Sequence, residues 1–345
     1  MLCSLIRCSE ATMATAPEAA LLRALSLTPS TGKISAHGGS GFASTYKIKT
    51  GDRVLFAKIA KTADAVTQFE GEHTSLNAIY EAVPSLCPRS HRWGRLDEHG
   101  GTGAFLVTEF VDMGSSIASS KPGSGLSLAQ KLAALHAARV PKDHEGRGFG
   151  FPCATYCGDT KQENRWKPSW AEFFADNKVR DVLRQGERDQ GADSTLHRLI
   201  DDVCERVVPR LLADEHLGGS ARVTPALVHG DLWSGNKANA SFPDREGQPR
   251  EEIVFDPSSF YAHHEYDHGI MTMFGGFSQS FWNEYFGAME RRTGLKGGKT
   301  EPVEEYEDRV ALYRSFHQLN HWRMFGGGYK ASAAVILRDL LSKYG

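Results

Sequence analysis

The sequence lacks an apolar run approaching the roughly 20 residues that a membrane-spanning helix needs, so we expect no transmembrane segment and no membrane partner. It also lacks an excess of either charge, because 40 Lys and Arg residues balance 42 Asp and Glu residues to a formal net charge of −2. Nucleic-acid-binding proteins usually carry a basic excess or a basic stripe, so this balance argues against nucleic acid as a main partner. The hydrophobic content of 40% is too high for a wholly disordered chain.

Cysteine is scarce, with six residues scattered over 345 positions. Such a distribution does not form a disulfide framework. Cys153 and Cys157 are the one close pair in the body of the chain, and no second Cys/His pair accompanies them at the spacing of zinc ligands. We therefore expect free thiols, a reducing compartment and no structural zinc site.

We also expect no secretory signal, because the first residues contain a short apolar stretch and a single basic residue, Arg7. The composition of residues 1–12 suits a weak mitochondrial presequence, but Glu10 and the single arginine argue against one. We expect a cytoplasmic protein with a loose N-terminal extension over residues 1–29, and Met13 is an alternative start.

The apolar pattern predicts a small β-rich part followed by a larger helical part. Residues 45–49 and 54–59 are β-rich runs separated by a turn signal, which predicts a hairpin. A helix over 64–80 and a strand over 105–111 follow. The Ser-, Gly- and Pro-rich stretch 115–125 predicts a linker. Beyond it, helices are predicted over 128–139 with Ser127 as N-cap, over 170–183 and over 196–212.

The densest polar cluster is His229-Gly230-Asp231-Leu232-Trp233-Ser234-Gly235-Asn236. Asp231 and Asn236 are five positions apart (236 − 231), which is the spacing of the Asp and the Asn in kinase catalytic loops. There the Asp accepts the proton of the attacking hydroxyl group and the Asn holds a metal ion. Trp233, which lies between them, could stack on a sugar or pack against the protein. The alternative for the whole cluster is an Asx-rich turn, in which both side chains bond the local backbone.

Two further elements complete the pattern of a phosphotransfer site. The apolar residues 253–255 end in Asp256, at the place where kinases hold Mg²⁺, although a strand cap is the alternative. Lys58 lies in a strand-like run, and Glu72 follows 14 residues later (72 − 58) on the predicted helix. Kinases use such a pair to bind the α- and β-phosphates. A single lysine on a strand is usually solvated, so the combination of these elements in this order carries the prediction.

The adenine and the phosphates would be bound by backbone groups. Gly39 and Gly41 belong to a glycine-rich stretch that could close over phosphates, although such turns are common before hairpins. A kinase-like hinge would place the end of the strand before the linker against adenine, and the alternative is a buried strand end. The hinge residues are then Glu109, Phe110 and Val111.

With these residues the sequence resembles the fructosamine/ketosamine-3-kinase family, relatives of aminoglycoside and choline kinases, over roughly residues 30–340. The His-Gly-Asp-x-x-x-x-Asn pattern alone is shared with many small-molecule kinases. More selective matches are Trp233, the run Phe255-Asp256-Pro257-Ser258-Ser259-Phe260-Tyr261, and Asn320-His321-Trp322. Further matches are Phe69-Glu70-Gly71-Glu72, Phe149-Gly150-Phe151 and Cys157-Gly158.

The resemblance implies a protein-kinase-like α+β fold of two lobes and ATP-dependent phosphorylation of the 3-hydroxyl of ketosamines on glycated lysines, free or in proteins. The unstable phosphate ester then frees the amine, so the activity is one of protein deglycation. Carried over to this chain, the residue roles are Asp231 as base, Asn236 and Asp256 as Mg²⁺ ligands, Lys58 as phosphate ligand paired with Glu72, and Trp233 as a substrate contact. The predicted units are an extension (1–29), a nucleotide-binding N-lobe (30–116) and a catalytic, substrate-binding C-lobe (117–345).

The chain departs from the family in its phosphate loop, which reads Gly38-Gly39-Ser40-Gly41-Phe42 and lacks the thiol of the Gly-Gly-Gly-Cys stretch that many members carry. A redox role for that loop is therefore in doubt here. The alternatives are a small-molecule alcohol kinase of aminoglycoside or choline type and a nucleotide-binding pseudokinase, which would not need the full set of kinase residues. The preference between ribulosamine and fructosamine is open, with ribulosamine favoured by the resemblance alone, and the oligomeric state is open as well.

Overall fold

The structure is a computed structural model that describes residues 16–39, 43–51, 53–96, 103–113, 125–218, 223–245 and 249–345. Most of the predicted linker over 115–125 and Gly41 of the predicted phosphate loop lie outside these ranges. Among the helices within them, none combines the length and the apolar character that crossing a membrane requires. The described residues form an α+β architecture with a β-rich N-terminal lobe and a mainly helical C-terminal lobe.

The N-terminal lobe is built on an antiparallel sheet of five strands. These are β1 (Lys33–Gly39), β2 (Ser44–Thr50), β3 (Arg53–Ala60), β4 (Ser90–Leu96) and β5 (Gly103–Glu109). Their order in the sheet is β1-β2-β3-β5-β4. The predicted hairpin corresponds to β2 and β3, and the predicted strand before the linker corresponds to β5. Both predictions are confirmed.

A helix that the sequence analysis did not predict covers one face of this sheet. Helix α1 (Ala16–Ala24) buries Ala20 and Leu21 against Leu55 and Val107 of the sheet. The extension expected to be loose over residues 1–29 is therefore a packed helix over this part. The boundaries at residues 29 and 116 stay predictions.

The opposite face of the sheet is covered by α2 (Ala65–Ala82), the helix predicted over 64–80. Its apolar residues Phe69, Leu76 and Ile79 belong to a core that continues into the C-terminal lobe. Gly71 allows α2 to approach the next segment closely, because a Cβ at this position would lie 2.5 Å from the carbonyl oxygen of Ala154. The approach fixes the position of Glu72, the next residue of the helix.

The C-terminal lobe is mainly helical. Its helices are α3 (Leu128–His136), α4 (Trp170–Glu172), α5 (Arg180–Gln190), α6 (Ser194–Asp202), α7 (Val208–Leu212), α8 (Tyr266–Met273), α9 (Gln279–Thr293), α10 (Tyr306–Phe325) and α11 (Tyr329–Tyr344). π-Helical segments Phe173–Val179 and Val203–Val207 join α4 to α5 and α6 to α7, and short 3₁₀ turns cover Ser234–Asn236, Lys296–Gly298 and Val303–Glu305. Short antiparallel pairs are formed by β6 (Thr155–Cys157) with β7 (Thr160–Gln162), β8 (Ala226–Val228) with β11 (Phe260–Ala262), and β9 (Lys237–Ala240) with β10 (Glu251–Val254).

The helices predicted in this lobe are confirmed. Ser127 caps α3 as expected, since its side chain accepts a hydrogen bond of 3.2 Å from the backbone N–H of Gln130. Helix α10 buries Leu312, Tyr313 and Phe316 and contacts α5, α8 and α11. It therefore lies at the centre of the helices of this lobe, and β6 of the short strand pairs contacts α2 of the N-terminal lobe.

Candidate active site

A cleft of about 730 Å³ lies between the two lobes. This volume is within the range of small-molecule and cofactor sites. Every predicted site residue within the described ranges lines it: Gly39, Lys58, Glu72, Glu109, Phe110, Val111, Asp231, Trp233, Asn236 and Asp256. Residues far apart in the sequence thus meet in one cleft, while Gly41 lies outside the described residues.

Lys58 is held between two carboxylates. Side chains alternate along a strand, so Lys58 on β3 points to the face opposite Leu55 and Ala57, towards the cleft. Its Nζ lies 2.7 Å from Oε1 of Glu72 on α2 and 2.6 Å from Oδ1 of Asp256. Burial lowers the pKa of Lys58, but the two carboxylates outweigh burial and raise it above its ordinary value. The lysine is therefore a fixed positive charge in the cleft.

Asp256 lies two residues beyond the end of β10 and has a backbone φ of 54°, in the left-handed region that few non-glycine residues adopt. The preceding residue, Phe255, donates its backbone N–H to the carbonyl of Asn236 at 3.1 Å. Burial raises the pKa of Asp256, but the Lys58 ammonium outweighs it and lowers the pKa below its usual value. The strained backbone thus presents an ionised carboxylate to the cleft.

The segment between β8 and β9 is a tightly bonded loop, which we call the catalytic loop (residues 229–236). His229 donates from Nε2 to the carbonyl of Phe255 at 3.1 Å and accepts at Nδ1 from the backbone N–H of Asp231 at 3.3 Å. These partners require the neutral imidazole, in agreement with a pKa of His229 that burial lowers. The ring therefore ties the loop to the segment that carries Asp256.

The catalytic loop is held in place by the buried carboxylate of Asp267, a residue that was not predicted to belong to the site. Asp267 on α8 accepts hydrogen bonds of 2.8 Å from the backbone N–H groups of both His229 and Gly230. It also accepts from Nε2 of His136 at 3.1 Å. Gly230 has a φ of +86°, and a Cβ there would lie 2.1 Å from the carbonyl oxygen of Ser258, so a glycine is required. In the sequence Asp267 is an acid near the start of a predicted helical region, and this does not reveal a partner 37 residues away.

Asp231 is the acid of the loop that faces the cleft. Burial raises the pKa of its carboxyl to about 8, and the carboxylates of Asp256 and Asp267 act in the same direction. Asn236 donates from Nδ2 to the backbone carbonyl of Asp231 at 2.8 Å and to its Oδ2 at 3.4 Å. The Asx-turn alternative therefore describes part of the geometry, because Asn236 does bond the local backbone. In its ionised form, the carboxyl group of Asp231 is a proton acceptor at the cleft.

The predicted hinge, residues 109–111, begins at the last residue of β5 and lines the rim of the cleft. The carboxylate of Glu109 accepts from the guanidinium of Arg245 at 2.9 and 3.1 Å, so this side chain is occupied structurally. Phe110 donates its N–H to Val54 at 3.3 Å. Val111 makes no backbone hydrogen bond to another described residue. Among these three, Val111 thus has the backbone groups best placed for a ligand.

Trp233 also lines the cleft, is 39% exposed, and packs edge-on against Phe274 at 5.9 Å between ring centroids. An exposed aromatic face beside a candidate base is suited to stacking on an apolar face of a ligand. Together, a strand lysine held by a helix glutamate and an Asp/Asn loop beside a second acid define a kinase-like phosphotransferase site.

The comparison with solved structures agrees with this class. A thermostable mutant of aminoglycoside phosphotransferase APH(4)-Ia, crystallised as a ternary complex with AMP-PNP and hygromycin B, matches 94% of this chain and 98% of its own with a TM-score of 0.55. At 14% sequence identity this likeness concerns the fold alone. The predicted protein-kinase-like α+β fold is thereby confirmed.

The sequence comparisons identify the family. The chain is 33% identical to "Protein-ribulosamine 3-kinase, chloroplastic" of Arabidopsis thaliana, over 90% of this chain and 82% of that protein. It is 34% identical to "Ketosamine-3-kinase" of Mus musculus, over 89% of this chain and 95% of that protein. The family model described as fructosamine kinase matches residues 14–343. The chain belongs to the fructosamine kinase family, as its sequence motifs predicted.

Proposed function

We propose that this protein is an ATP-dependent ketosamine 3-kinase, which phosphorylates the 3-hydroxyl of a ribulosamine or fructosamine on glycated lysine and so leads to deglycation. The observation that carries the proposal is the meeting of Lys58, Glu72, Asp231, Asn236 and Asp256 in one cleft of a member of this family. The relatives named ribulosamine and ketosamine 3-kinases support the same class of acceptor. The cytoplasmic location stays a prediction.

ATP would be bound mainly by the N-terminal lobe. Val111 offers backbone groups at the rim for adenine, and Gly39 at the end of β1 leaves space for phosphates. Lys58, already fixed by Glu72, would exchange its contact with Asp256 for phosphate oxygens. Asp256 and the phosphate would therefore compete for Lys58, while Glu72 on α2 keeps the lysine side chain in position.

The residues present fit a magnesium ion. Mg²⁺ prefers oxygen ligands, and it usually keeps several waters while being bound by one or two protein groups and substrate phosphates. The carboxylate of Asp256, which lines the cleft, supplies one such oxygen. The amide of Asn236 bonds Asp231 through its nitrogen, so its oxygen is directed elsewhere. When bound, the ion would neutralise charge on the transferring phosphate.

The acceptor hydroxyl would lie between Asp231 and the γ-phosphate. As the O3–phosphorus bond forms and the bond to ADP breaks, the hydroxyl proton passes to the carboxylate of Asp231. A base is most effective when its pKa lies near the working pH, and the raised pKa of Asp231 of about 8 satisfies this condition. Trp233 would pack on the sugar and orient its third carbon towards Asp231.

A coupled ADP-release assay tests the proposal. With Mg²⁺ and ATP present, we expect turnover with ribulosyl-lysine, fructosyl-lysine or both, and none with choline or an aminoglycoside. The product should gain one phosphoryl group by mass spectrometry and then release unmodified lysine. Folded protein that turns over only an aminoglycoside or choline would place it among the small-molecule alcohol kinases. Absence of all turnover together with intact ATP binding would favour the pseudokinase.

A further inference from the structure

Beside the base, three side chains from separate elements bring different donor atoms together. The Sγ of Cys157 at the end of β6, a carboxylate oxygen of Asp231 and a ring nitrogen of His317 on α10 all lie within 4.8 Å of one another. Cys157 is 1% exposed and His317 is fully buried. Sulfur, imidazole nitrogen and carboxylate oxygen are the donors that zinc takes in proteins.

The ring nitrogens of His317 take no part in the hydrogen-bond network of the described residues. Neither Nδ1 nor Nε2 has a hydrogen-bonding partner among the described residues. A buried polar group without a partner costs about 1–3 kcal/mol, so such groups usually have a reason to be kept. Burial lowers the pKa of His317 to about 3, which keeps the ring neutral and its lone pair available. This second observation points to a ligand for the ring.

The thiol is positioned by a neighbour of His317 on the same helix. Asn320 donates from Nδ2 to both the backbone carbonyl and the Sγ of Cys157, each at 3.2 Å. Its own Oδ1 is buried without a partner among the described residues. Helix α10 therefore fixes the sulfur atom and supplies the imidazole, and the catalytic loop supplies the carboxylate.

A second group of close donors, formed by His263, His264 and Glu265, shows what a structural network looks like in this protein. Both ring nitrogens of His263 are bonded, to Tyr313 and Thr300. Glu265 forms a buried ion pair with Arg309 at 2.7 Å. Most donors of this group are thus already used, and Nε2 of His264 is its one ring nitrogen without a partner among the described residues, whereas both ring nitrogens of His317 lack one.

We propose that Cys157, Asp231 and His317 bind a divalent cation of the zinc class, and that this cation inhibits the kinase by occupying the carboxylate of Asp231. The three ligands leave a fourth tetrahedral position for water from the cleft, where the neighbouring residues Tyr156 and Gly158 form part of the lining. The inhibition rests on the proposed role of Asp231 as base, whereas the binding does not.

The chemistry of this site separates it from the magnesium site. Thiolate and imidazole ligands select zinc-class ions, while magnesium prefers the oxygens of Asn236 and Asp256. When the metal–sulfur bond forms, the thiol proton passes to solvent and no atom changes its oxidation state. Burial and the nearby Asp231 raise the pKa of the Cys157 thiol well above its usual value, so the metal has to displace this proton. We therefore expect weaker binding than at a structural zinc site.

Cobalt provides a direct measurement of binding that does not depend on activity. The full-length protein, reduced with a phosphine rather than a thiol, is titrated with Co²⁺ in the absence of ATP and acceptor. We expect thiolate-to-cobalt charge-transfer absorption that saturates at one equivalent and is displaced by Zn²⁺. Cys157→Ser should abolish this band, and Cys204→Ser, which changes a buried thiol elsewhere in the lobe, should retain it. Absence of the band in the wild type, or its persistence in Cys157→Ser, would overturn the site.

His317→Gln tests the second ligand. It should weaken binding by at least about 10-fold, since even the outer partners of metal ligands are worth about 10–100-fold in affinity. Thermal melting shows whether each variant folds. If His317→Gln does not fold, the Co²⁺ titrations of Cys157→Ser and Cys204→Ser still test the site. A folded His317→Gln variant that binds Co²⁺ as tightly as the wild type would remove His317 from the site.

The inhibition is tested by titrating Zn²⁺ into the kinase assay at saturating Mg²⁺ and ATP. We expect loss of activity that a chelator reverses, and Cys157→Ser should need at least about 10-fold more Zn²⁺ relative to its own uninhibited rate. Cobalt binding without inhibition by Zn²⁺ would refute the switch and leave the site. A protein without ketosamine kinase activity that still shows the cobalt band would refute the proposed function and leave the binding.

Discussion

Replacing Asp267 with asparagine tests how the catalytic loop is held in place. One carboxylate oxygen, Oδ2, accepts from the backbone N–H of His229 and from His136, and the other, Oδ1, accepts from the backbone N–H of Gly230. An asparagine has one acceptor oxygen and one NH₂ group. With its oxygen towards His229 and His136, it would point the NH₂ group at the N–H of Gly230, the residue before Asp231.

The expected losses of stability and of kcat in Asp267→Asn follow from these contacts. A hydrogen bond to a charged group contributes about 1.5–3 kcal/mol, and a buried N–H left without an acceptor costs about 1–3 kcal/mol. Asp267 is fully buried, so water cannot replace the lost partner. Asp267→Asn should therefore lower the free energy of unfolding by about 3 kcal/mol. A displacement of Asp231 by about 1 Å would lower kcat by roughly 100-fold, and the KM for ATP should change little.

Denaturant unfolding and steady-state kinetics of three variants measure both effects. Asp267→Glu keeps two charged acceptor oxygens and should retain more activity than Asp267→Asn. Asp193→Asn changes a partly exposed acid that caps α6 and should leave kcat unchanged, although loss of its ion pair with Lys330 lowers stability slightly. If Asp267→Asn kept wild-type kcat, or lost only stability, the loop would not be positioned by this carboxylate.

Three further outcomes are expected. Lys58→Met removes the proposed phosphate ligand and leaves two carboxylates without their cation. The kcat/KM for ATP should therefore fall by roughly 100-fold or more (about 2.7 kcal/mol or more), while the control Lys49→Met at an exposed site should not change it. Trp233→Ala should raise the KM for the ketosamine with little effect on the KM for ATP, and equal effects on both would contradict a sugar contact. In the Asp231→Asn variant, stability should fall as the pH drops from 7.5 to 5.5, because burial keeps the folded-state pKa of four histidines below the unfolded value of about 6.5. Their contribution is complete above that pH and is lost below it, at about 1 kcal/mol for each histidine by pH 5.5. This variant is used because the raised pKa of Asp231 makes the folded wild type take up a proton in the same range, which acts in the opposite direction. These histidines are His263, His264, His268 and His317. A free energy of unfolding that is unchanged at pH 5.5 would contradict their neutral state.

The parts of the fold that could be predicted are those whose apolar periodicity survives in the sequence. Strand β3 alternates Leu55, Ala57 and Ile59 inward, and α2 repeats Phe69, Leu76 and Ile79 on one face. Strand β1 was missed because nearly all of its residues are exposed, and an edge strand without a buried face has no alternating pattern. Helix α1 was missed because its buried Ala20 and Leu21 lie in a short helix that depends on the sheet for its partner.

The candidate site likewise contains residues that could be predicted from the sequence and residues that could not. Lys58, Glu72, Asp231, Asn236 and Asp256 could be assembled from spacing, since one strand, one helix and one loop fix their order in kinases. The partners that support them could not. Asp267 reaches the loop through the fold, and Cys157 meets His317 across 160 residues (317 − 157). In the sequence, Cys153 is the cysteine or histidine nearest to Cys157, whereas the fold brings the other proposed ligands to it from α10 and the catalytic loop.

The most direct test of the account compares wild-type protein with Asp231→Asn in single-turnover transfer from radiolabelled ATP to ribulosyl-lysine and fructosyl-lysine. We expect the wild type to form a ketosamine 3-phosphate that then releases lysine. Asp231→Asn should bind ATP with unchanged affinity and form no phosphorylated product on the same timescale. Wild-type protein that leaves both ketosamines unmodified, or an Asp231→Asn variant that transfers at the wild-type rate, would contradict the assignment of this cleft as a ketosamine kinase with Asp231 as its base.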